Sequence, residues 1–253
     1  MARLRSSFLV AVVALVGCAD TGGQTLIVLN NTAPEGECVI DPGGGGATFI
    51  PSGRVDATGV TEFNSQIGYI ITPAIENIAD SQMGTQASNR TVILGGARVD
   101  LVVGTHADGT DLLSAGELDA LNNQNALKFT APFSGAIEPD GGLVGIGFEL
   151  VPAVVVGAIG PKLNPGESAL VTASFSVFGR TVSGTSVESD PFSYPVTVCN
   201  GCLFTHLGQC LGLPEGDYPS GGACNLFQDE PGSCCTSSAG FEVCPAVTED
   251  IGQ

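Results

Sequence analysis

Apolar and polar side chains alternate with a period of two along the middle of this chain. From Ala169 to Val177 every second residue is apolar, and Phe192 to Val198 repeats the pattern. Successive side chains of a β-strand point to opposite faces, so the alternation predicts strands with one buried face and one wet face. Thirty-six glycines suit short strands joined by glycine turns. The pattern therefore predicts an all-β fold built from antiparallel sheets that pack in pairs.

Other stretches extend this prediction along the chain. Strands are also predicted at Thr25–Leu29, Gln66–Thr72, Thr91–Val103, Ala126–Phe133, Leu143–Leu150 and Val154–Ile159. This spacing over about 150 residues favours an antiparallel β-sandwich of the immunoglobulin or fibronectin type. Gly95-Gly96 predicts a bulge or turn, and Pro195 predicts that the last strand lies at a sheet edge. Leu112–Asn122 is the only stretch for which a helix is predicted.

The first eighteen residues have the pattern of an export signal. Arg3 and Arg5 precede an apolar run, which ends in Leu15-Val16-Gly17-Cys18. The run holds about nine residues, whereas a membrane-spanning helix needs about 20. The last four residues resemble the lipobox of bacterial lipoproteins. The resemblance implies that residues 1–17 are removed as a signal peptide and that Cys18 carries a lipid at the new amino terminus.

This resemblance also implies where the protein is found. We expect it to be exported and anchored through its lipid to a membrane of the bacterial cell envelope, with the inner and outer membranes both open. Residues 18–24 would form a lipidated tether, followed by a β-sandwich domain at residues 25–198. An ordinary secretory signal without lipid is the alternative interpretation of the same residues.

The charge of the chain is strongly negative. Removing residues 1–17 removes two of eight basic residues and none of 26 acidic ones, which leaves a formal charge of −20. Nucleic-acid binding needs a basic face that replaces phosphate counterions, so no nucleic-acid partner is expected. The acidity also disfavours adsorption to anionic lipid, and the lipid of Cys18 would have to supply the membrane contact.

Cysteines are concentrated near the end of the chain, where seven of the nine fall in residues 199–244. This segment has too few apolar side chains for a core of its own, so residues 199–253 are predicted to form a small disulfide-rich C-terminal module. The candidates for pairing are Cys38, Cys199, Cys202, Cys210, Cys224, Cys234, Cys235 and Cys244. Seven is an odd number, so Cys38 must reach the module if all eight pair. We expect its partner to be Cys199 or Cys202, and we expect Cys234 and Cys235 to have two different partners.

Metal binding is the alternative for part of this segment. Cys199, Cys202, His206 and Cys210 have spacings close to those of a zinc knuckle, but two of the gaps are one residue short. Export to an oxidising compartment favours disulfides over zinc. A calcium site at Asp108, Asp111 and Asp119 is a further alternative, although the spacing differs from that of the known twelve-residue calcium loop.

Catalytic motifs are few. The chain has two histidines and no Gly-x-Ser-x-Gly motif, so a hydrolase triad is not indicated. His106 beside Asp108 and Asp111 offers a candidate general base, and an exposed polar loop is the simpler interpretation. We therefore predict a non-enzymatic envelope lipoprotein without a cofactor. Its expected role is structural, adhesive or partner-binding, with another envelope protein as a possible partner.

Overall fold

The computed structural model describes residues 25–35, 38–43, 48–61, 67–80, 90–106, 108–213 and 224–244. The predicted signal peptide at residues 1–17, Cys18 and the predicted tether at 18–24 lie outside the described residues. Within the described ranges, none of the helices combines the length and the apolar character needed to cross a membrane.

Strands make up most of the described secondary structure, which confirms the all-β class. They are β1 (Leu26–Asn31), β2 (Gly53–Asp56), β3 (Tyr69–Ile71), β4 (Pro73–Asn77), β5 (Val92–Val103), β6 (Lys128–Ala131), β7 (Gly135–Ile137), β8 (Gly142–Gly145), β9 (Phe148–Val151), β10 (Ser168–Thr181), β11 (Ser186–Glu188), β12 (Phe192–Cys199), β13 (Phe204–Gln209), β14 (Gly232–Thr236) and β15 (Glu242–Val243). The helices are α1 (Thr58–Thr61), α2 (Ala115–Asn123), α3 (Ala153–Ile159) and a 3₁₀ turn at Gly160–Lys162.

The long strands β5 and β10 form the centre of a seven-stranded sheet. They pair antiparallel over 92–103 and 171–181, and the order of the sheet is β2-β12-β10-β5-β6. Strands β11 and β7 extend it at the far ends of β10 and β5. Every inward residue of β10 from Ala169 to Val177 is buried, as the period-two pattern predicts.

Two smaller sheets contribute to the same core. One has the order β1-β4-β8, and the other pairs β3 with β9. The ring of Phe148 on β9 lies 5.5 Å from that of Phe175 on β10, and the ring of Tyr69 on β3 lies 6.0 Å from that of Tyr194 on β12. A single cluster of buried apolar side chains therefore joins these sheets. We call residues 25–198 the β body.

A bulge in β5 occurs at the predicted glycine pair. Gly96 pairs with Phe178 and Leu94 with Gly179, so Gly95 is the extra residue. Gly96 has a φ of +146°, and a Cβ at this position would lie 2.5 Å from the carbonyl oxygen of Ala131. The bulge therefore needs glycine here, for conformation and for space.

One predicted strand was wrong. Val154–Ile159 lies within helix α3, which begins after Pro152 and buries Val155, Val156 and Ile159. A short apolar run rich in valine suits a buried helix as well as a buried strand, so its periodicity does not decide between them. Packing against the core determines the helix here, against the propensity of valine.

The predicted helix at Leu112–Asn122 is confirmed as α2, but it is not the only helix. Its first turn is a capping box, in which the Ser114 side chain accepts a hydrogen bond from the Glu117 backbone N–H and Glu117 bonds back to the Ser114 N–H. Helix α1 was missed because it is about one turn long.

The edge position predicted for the last body strand was also wrong. Strand β12 lies between β10 and β2, and the parallel pairing with β2 runs over 196–199. Pro195 precedes this pairing by one residue. The ladder with β2 therefore does not need an N–H from the proline.

Candidate functional site

The eight cysteines after Cys18 lie in four pairs in disulfide contact. The pairs are Cys38–Cys224, Cys199–Cys202, Cys210–Cys235 and Cys234–Cys244. Their Cα–Cα distances run from 4.3 to 5.9 Å. Three pairs lie within the C-terminal segment, and the fourth ties that segment to the β body.

The partner expected for Cys38 was wrong. Cys38 pairs with Cys224, whereas Cys199 is buried and bonds to Cys202 across a short turn. Cys199 ends β12 on its buried face, but Cys38 lies exposed in the loop after β1. Cys199 therefore does not pair with Cys38, although it ends the last strand of the β body.

A buried aspartate holds the turn between Cys199 and β13. The carboxylate of Asp56, at the end of β2, is fully buried. Its Oδ1 accepts a hydrogen bond from the backbone N–H of Gly201 at 2.9 Å, and its Oδ2 accepts from Leu203 at 2.7 Å and from Phe204 at 3.0 Å. The hydroxyl and backbone N–H of Thr58 complete its hydrogen bonds. Asp56 therefore orders the start of the cysteine-rich segment.

The ionised form of Asp56 is favoured despite its burial. Burial alone raises the pKa of this carboxyl, but the hydrogen bonds from Thr58, Leu203 and Gly201 outweigh that effect and hold its pKa below the usual value of 3.8. The site is a structural anchor for backbone donors.

The four zinc candidates are not brought together as a set. In the described part of the chain, one group of possible ligands lies within 4.8 Å, and it consists of Asp56, Cys199 and Cys202. Cys199 and Cys202 form a disulfide with each other, and Cys210 forms one with Cys235. Zinc binds the thiolate, so the oxidised pairs offer no such ligands. His206 instead contacts Thr236 at 3.0 Å and Glu242 at 3.4 Å.

His106 has a partner that the sequence does not indicate. Its Nδ1 lies 2.9 Å from Oε1 of Glu167, in the loop before β10, and the two side chains are about one quarter exposed. Hydrogen bonds from Asn164 and His106 hold the pKa of Glu167 below its usual value. The arrangement is a loop-to-loop contact, and Glu167 rather than an aspartate faces the histidine.

The calcium candidates are dispersed. Asp108 accepts hydrogen bonds from the backbone N–H and hydroxyl of Thr110, which hold its pKa low. Asp111 lies at a bridge with Thr105, and Asp119 lies on the exposed side of α2. Within the described ranges, these three carboxylates do not form a group of metal-binding size.

A second hydrogen-bond network joins the β body to the C-terminal segment, and here the accepting aspartate belongs to the C-terminal segment. Asp229, in the cysteine-rich segment, accepts hydrogen bonds from the backbone N–H of Arg54 at 2.8 Å and from the hydroxyl of Tyr69 at 3.1 Å. The Tyr69 and Tyr194 hydroxyls lie 3.0 Å apart, and Asn31 donates to Tyr194 at 2.8 Å. Burial raises the pKa of Asp229 above its usual value.

The tyrosines of this network stay protonated. Burial, with Asp229 nearby, raises the pKa of Tyr69, and burial raises that of Tyr194 to about 12. The residue before Asp229 adds a further link, because the side-chain amide of Gln228 bonds to both the N–H and the C=O of Ile70. The junction between the β body and the C-terminal segment is thus a buried, hydrogen-bonded interface.

Sequence reasoning missed both junction aspartates. Asp56-Ala57-Thr58 carries a local signal, since an aspartate bonding to the residue two positions on is typical of an Asx-turn. Asp229 has no such signal. Its φ is +59°, which aspartate tolerates, but the φ of Phe227 is +63°, a conformation that a bulky side chain disfavours and that the surrounding contacts must hold.

No protein-family model matches the chain, and no curated protein matches it.

Proposed function

We propose that this chain is a lipid-anchored protein of the bacterial cell envelope with a non-catalytic structural, adhesive or partner-binding role. Cys18 would carry the lipid, and residues 18–253 would form the exported protein. Its partner would be another component of the envelope.

The observation that carries the proposal is the set of four cysteine pairs. Disulfides persist outside the cytosol and are rare inside it, where thiols are kept reduced. Cys38–Cys224 is the most telling pair, because it joins positions 186 residues apart. A fold cross-linked between such distant positions is typical of an exported chain. The Leu15-Val16-Gly17-Cys18 motif would direct the export and provide the cysteine that carries the lipid.

The packing of the sheets supports a finer proposal about the fold. We propose that the seven-stranded sheet and the smaller sheets form a sandwich similar to immunoglobulin and fibronectin domains. The contacts of Phe148 with Phe175 and of Tyr69 with Tyr194 link the two sets of strands through their inner faces. An experimental structure with these sheets side by side would refute this arrangement. Sandwich domains present loops and outer faces for recognition, which suits a binding role.

Metabolic labelling tests the anchor. The full chain is expressed in a bacterium supplied with an alkyne-tagged fatty acid, and the protein is captured from membrane and soluble fractions. We expect label on the wild-type protein in the membrane fraction. We expect no label on the Cys18→Ser variant.

The matched control is Asp119→Asn, an exposed change outside the motif that should keep the label. Equal labelling of wild type and Cys18→Ser, or an unlabelled wild-type protein in the cytosol, would overturn the proposal.

A further inference from the structure

The outer face of the seven-stranded sheet carries an open groove with a charge unlike that of the rest of the protein. Two adjoining cavities of about 720 and 570 Å³ share Arg98 and Glu188 in their walls. The first also contains Lys128 and Asp100, and the second contains Arg180. Three of the six basic residues that follow residue 17 thus lie along one groove, in a chain with 26 acidic residues.

The groove floor is a regular grid set by strand register. Across β10, β5 and β6, the register pairs Ser174 with Asp100 and Asp100 with Lys128. Two residues further along, it pairs Ser176 with Arg98 and Arg98 with Thr130. Neighbouring strands lie about 4.8 Å apart, so these six outward side chains cover roughly 10 by 7 Å. This area matches one or two sugar rings.

Several polar side chains that line the groove have no hydrogen-bond or ion-pair partner among the described residues. Among the described residues, the hydroxyls of Ser174, Ser176 and Thr130 form no hydrogen bond with another protein group, and Arg180 forms no ion pair. The groove therefore offers donors and acceptors that solvent or a ligand must fill.

The cations are held in place without being buried. The guanidinium carbon of Arg98 lies 4.5 Å from the centre of the Phe178 ring, and its Nη1 lies 2.5 Å from Glu188. The side chain of Arg98 is 56% exposed, and that of Lys128, which pairs with Asp100 at 2.6 Å, is 72% exposed. The Phe178 ring and Glu188 hold the guanidinium of Arg98 in place, and its N–H groups that do not face Glu188 remain available for a ligand carboxylate.

We propose that this groove binds an acidic oligosaccharide whose sugar rings carry carboxylate groups. Ring carboxylates would contact Arg98 and Arg180, and sugar hydroxyls would bond to Asp100, Ser174 and Ser176. Three cations and two anions line the groove, so its formal charge is +1 (three minus two) in a chain of formal charge −18, and this contrast favours an anionic ligand. The hydroxyl-lined floor favours a sugar over a peptide with apolar side chains. The inference rests on the proposed function, because it names the ligand class for the partner-binding role.

Isothermal titration calorimetry tests the proposal with the full-length protein, purified with its disulfides. Trigalacturonate is the probe, and neutral maltotriose and triglutamate are compared with it at 20 and 200 mM salt (roughly a threefold difference in Debye length). We expect trigalacturonate to bind, with weaker binding at the higher salt. We expect at least tenfold weaker binding of the two comparison ligands.

Variants locate the site. Arg98→Gln and Arg180→Gln should each weaken trigalacturonate binding about tenfold or more. Arg54→Gln is the matched control, since Arg54 is exposed on β2 of the same sheet and does not line the groove. It should stay within twofold of wild type. Ser176→Ala tests the floor without a charge change and should weaken binding severalfold.

Three results would overturn the proposal. These are no heat with trigalacturonate at millimolar concentration, equal binding of triglutamate, and unchanged binding in both arginine variants. Salt-sensitive self-association lost in Arg98→Gln, without sugar binding, would also overturn it and would assign the face to a contact between copies. An unlabelled Cys18 would contradict the proposed anchor and leave these titrations unchanged, so the two failures are distinguishable.

Discussion

Asp56 and Asp229 anchor the same junction from opposite parts of the chain. Asp56 belongs to β2 of the β body and accepts hydrogen bonds from backbone N–H groups of residues 201, 203 and 204. Asp229 belongs to the cysteine-rich segment and accepts hydrogen bonds from Arg54 and Tyr69 of the β body. Because each part completes the buried polar groups of the other, we expect them to unfold together.

Replacing Asp56 tests this coupling. Asp56→Asn leaves backbone donors of the turn without a full set of acceptors, and we expect the free energy of unfolding to fall by about 3–5 kcal/mol. Denaturant unfolding followed by fluorescence and by circular dichroism should give one coincident transition, shifted to lower denaturant. Asp119→Asn is the control, because Asp119 is exposed on α2, and it should change stability by less than about 0.5 kcal/mol. Two separate transitions in the wild-type protein would argue against a shared junction.

The two aspartates should respond to pH with opposite signs. The pKa of Asp56 is lowered in the folded protein, so its stabilising contribution is present above the usual value of 3.8 and is lost as pH falls through the folded pKa. The pKa of Asp229 is raised, so the folded protein loses stability as pH rises from 3.8 through the folded pKa.

Unfolding free energies measured from pH 2.5 to 7 separate these effects. The difference between wild type and Asp56→Asn should increase with pH in the lower part of this range. The difference between wild type and Asp229→Asn should decrease with pH above about 4. Slopes of the same sign for both variants would refute the assignment.

The four disulfides should differ in what they contribute. Cys38–Cys224 closes a loop across 186 positions, and the chain-entropy account gives about 5 kcal/mol for such a cross-link. Cys199–Cys202 spans three positions, for which the same account gives about 2 kcal/mol. Thermal unfolding of the two double-serine variants measures this, and the Cys38/Cys224 variant should melt at the lower temperature. The reverse order would show that loop length does not govern their effects.

Glycine at the β5 bulge should be irreplaceable by alanine. Gly96→Ala places a methyl group against the Ala131 carbonyl oxygen at a positive φ, and we expect a loss of about 1–3 kcal/mol. Gly116→Ala is the matched control, because Gly116 lies in α2 with nothing within 4 Å of the added carbon. It should gain about 0.5–1 kcal/mol. Equal effects in chemical denaturation would contradict the role given to the bulge.

Much of the strand content could be predicted from the sequence. Strands β10 and β12 each have one buried face and one face toward solvent, so apolar and polar residues alternate along them. The glycine pair in β5 likewise indicated the bulge. Helix α3 could not be predicted, since it is apolar on all sides and its valines favour a strand. The connection from Cys38 to Cys224 could not be predicted either, because disulfide partners depend on where distant loops meet.

The candidate site was harder to predict than the fold. His106 and the acidic loop after it attract notice in the sequence, yet the histidine bonds to Glu167, 61 positions away. The groove residues are ordinary outward-facing strand residues, and register alone gathers Arg98, Lys128 and Ser174. The cationic character of this face becomes visible once the strand order is known.

The intact mass of the protein isolated from bacterial membranes shows whether an acylated, disulfide-bonded chain is exported. We expect the mass of residues 18–253 plus the lipid, less eight hydrogens for four disulfides. A mass that includes residues 1–17, with Cys18 unmodified and all nine cysteines titratable as thiols, would contradict this expectation.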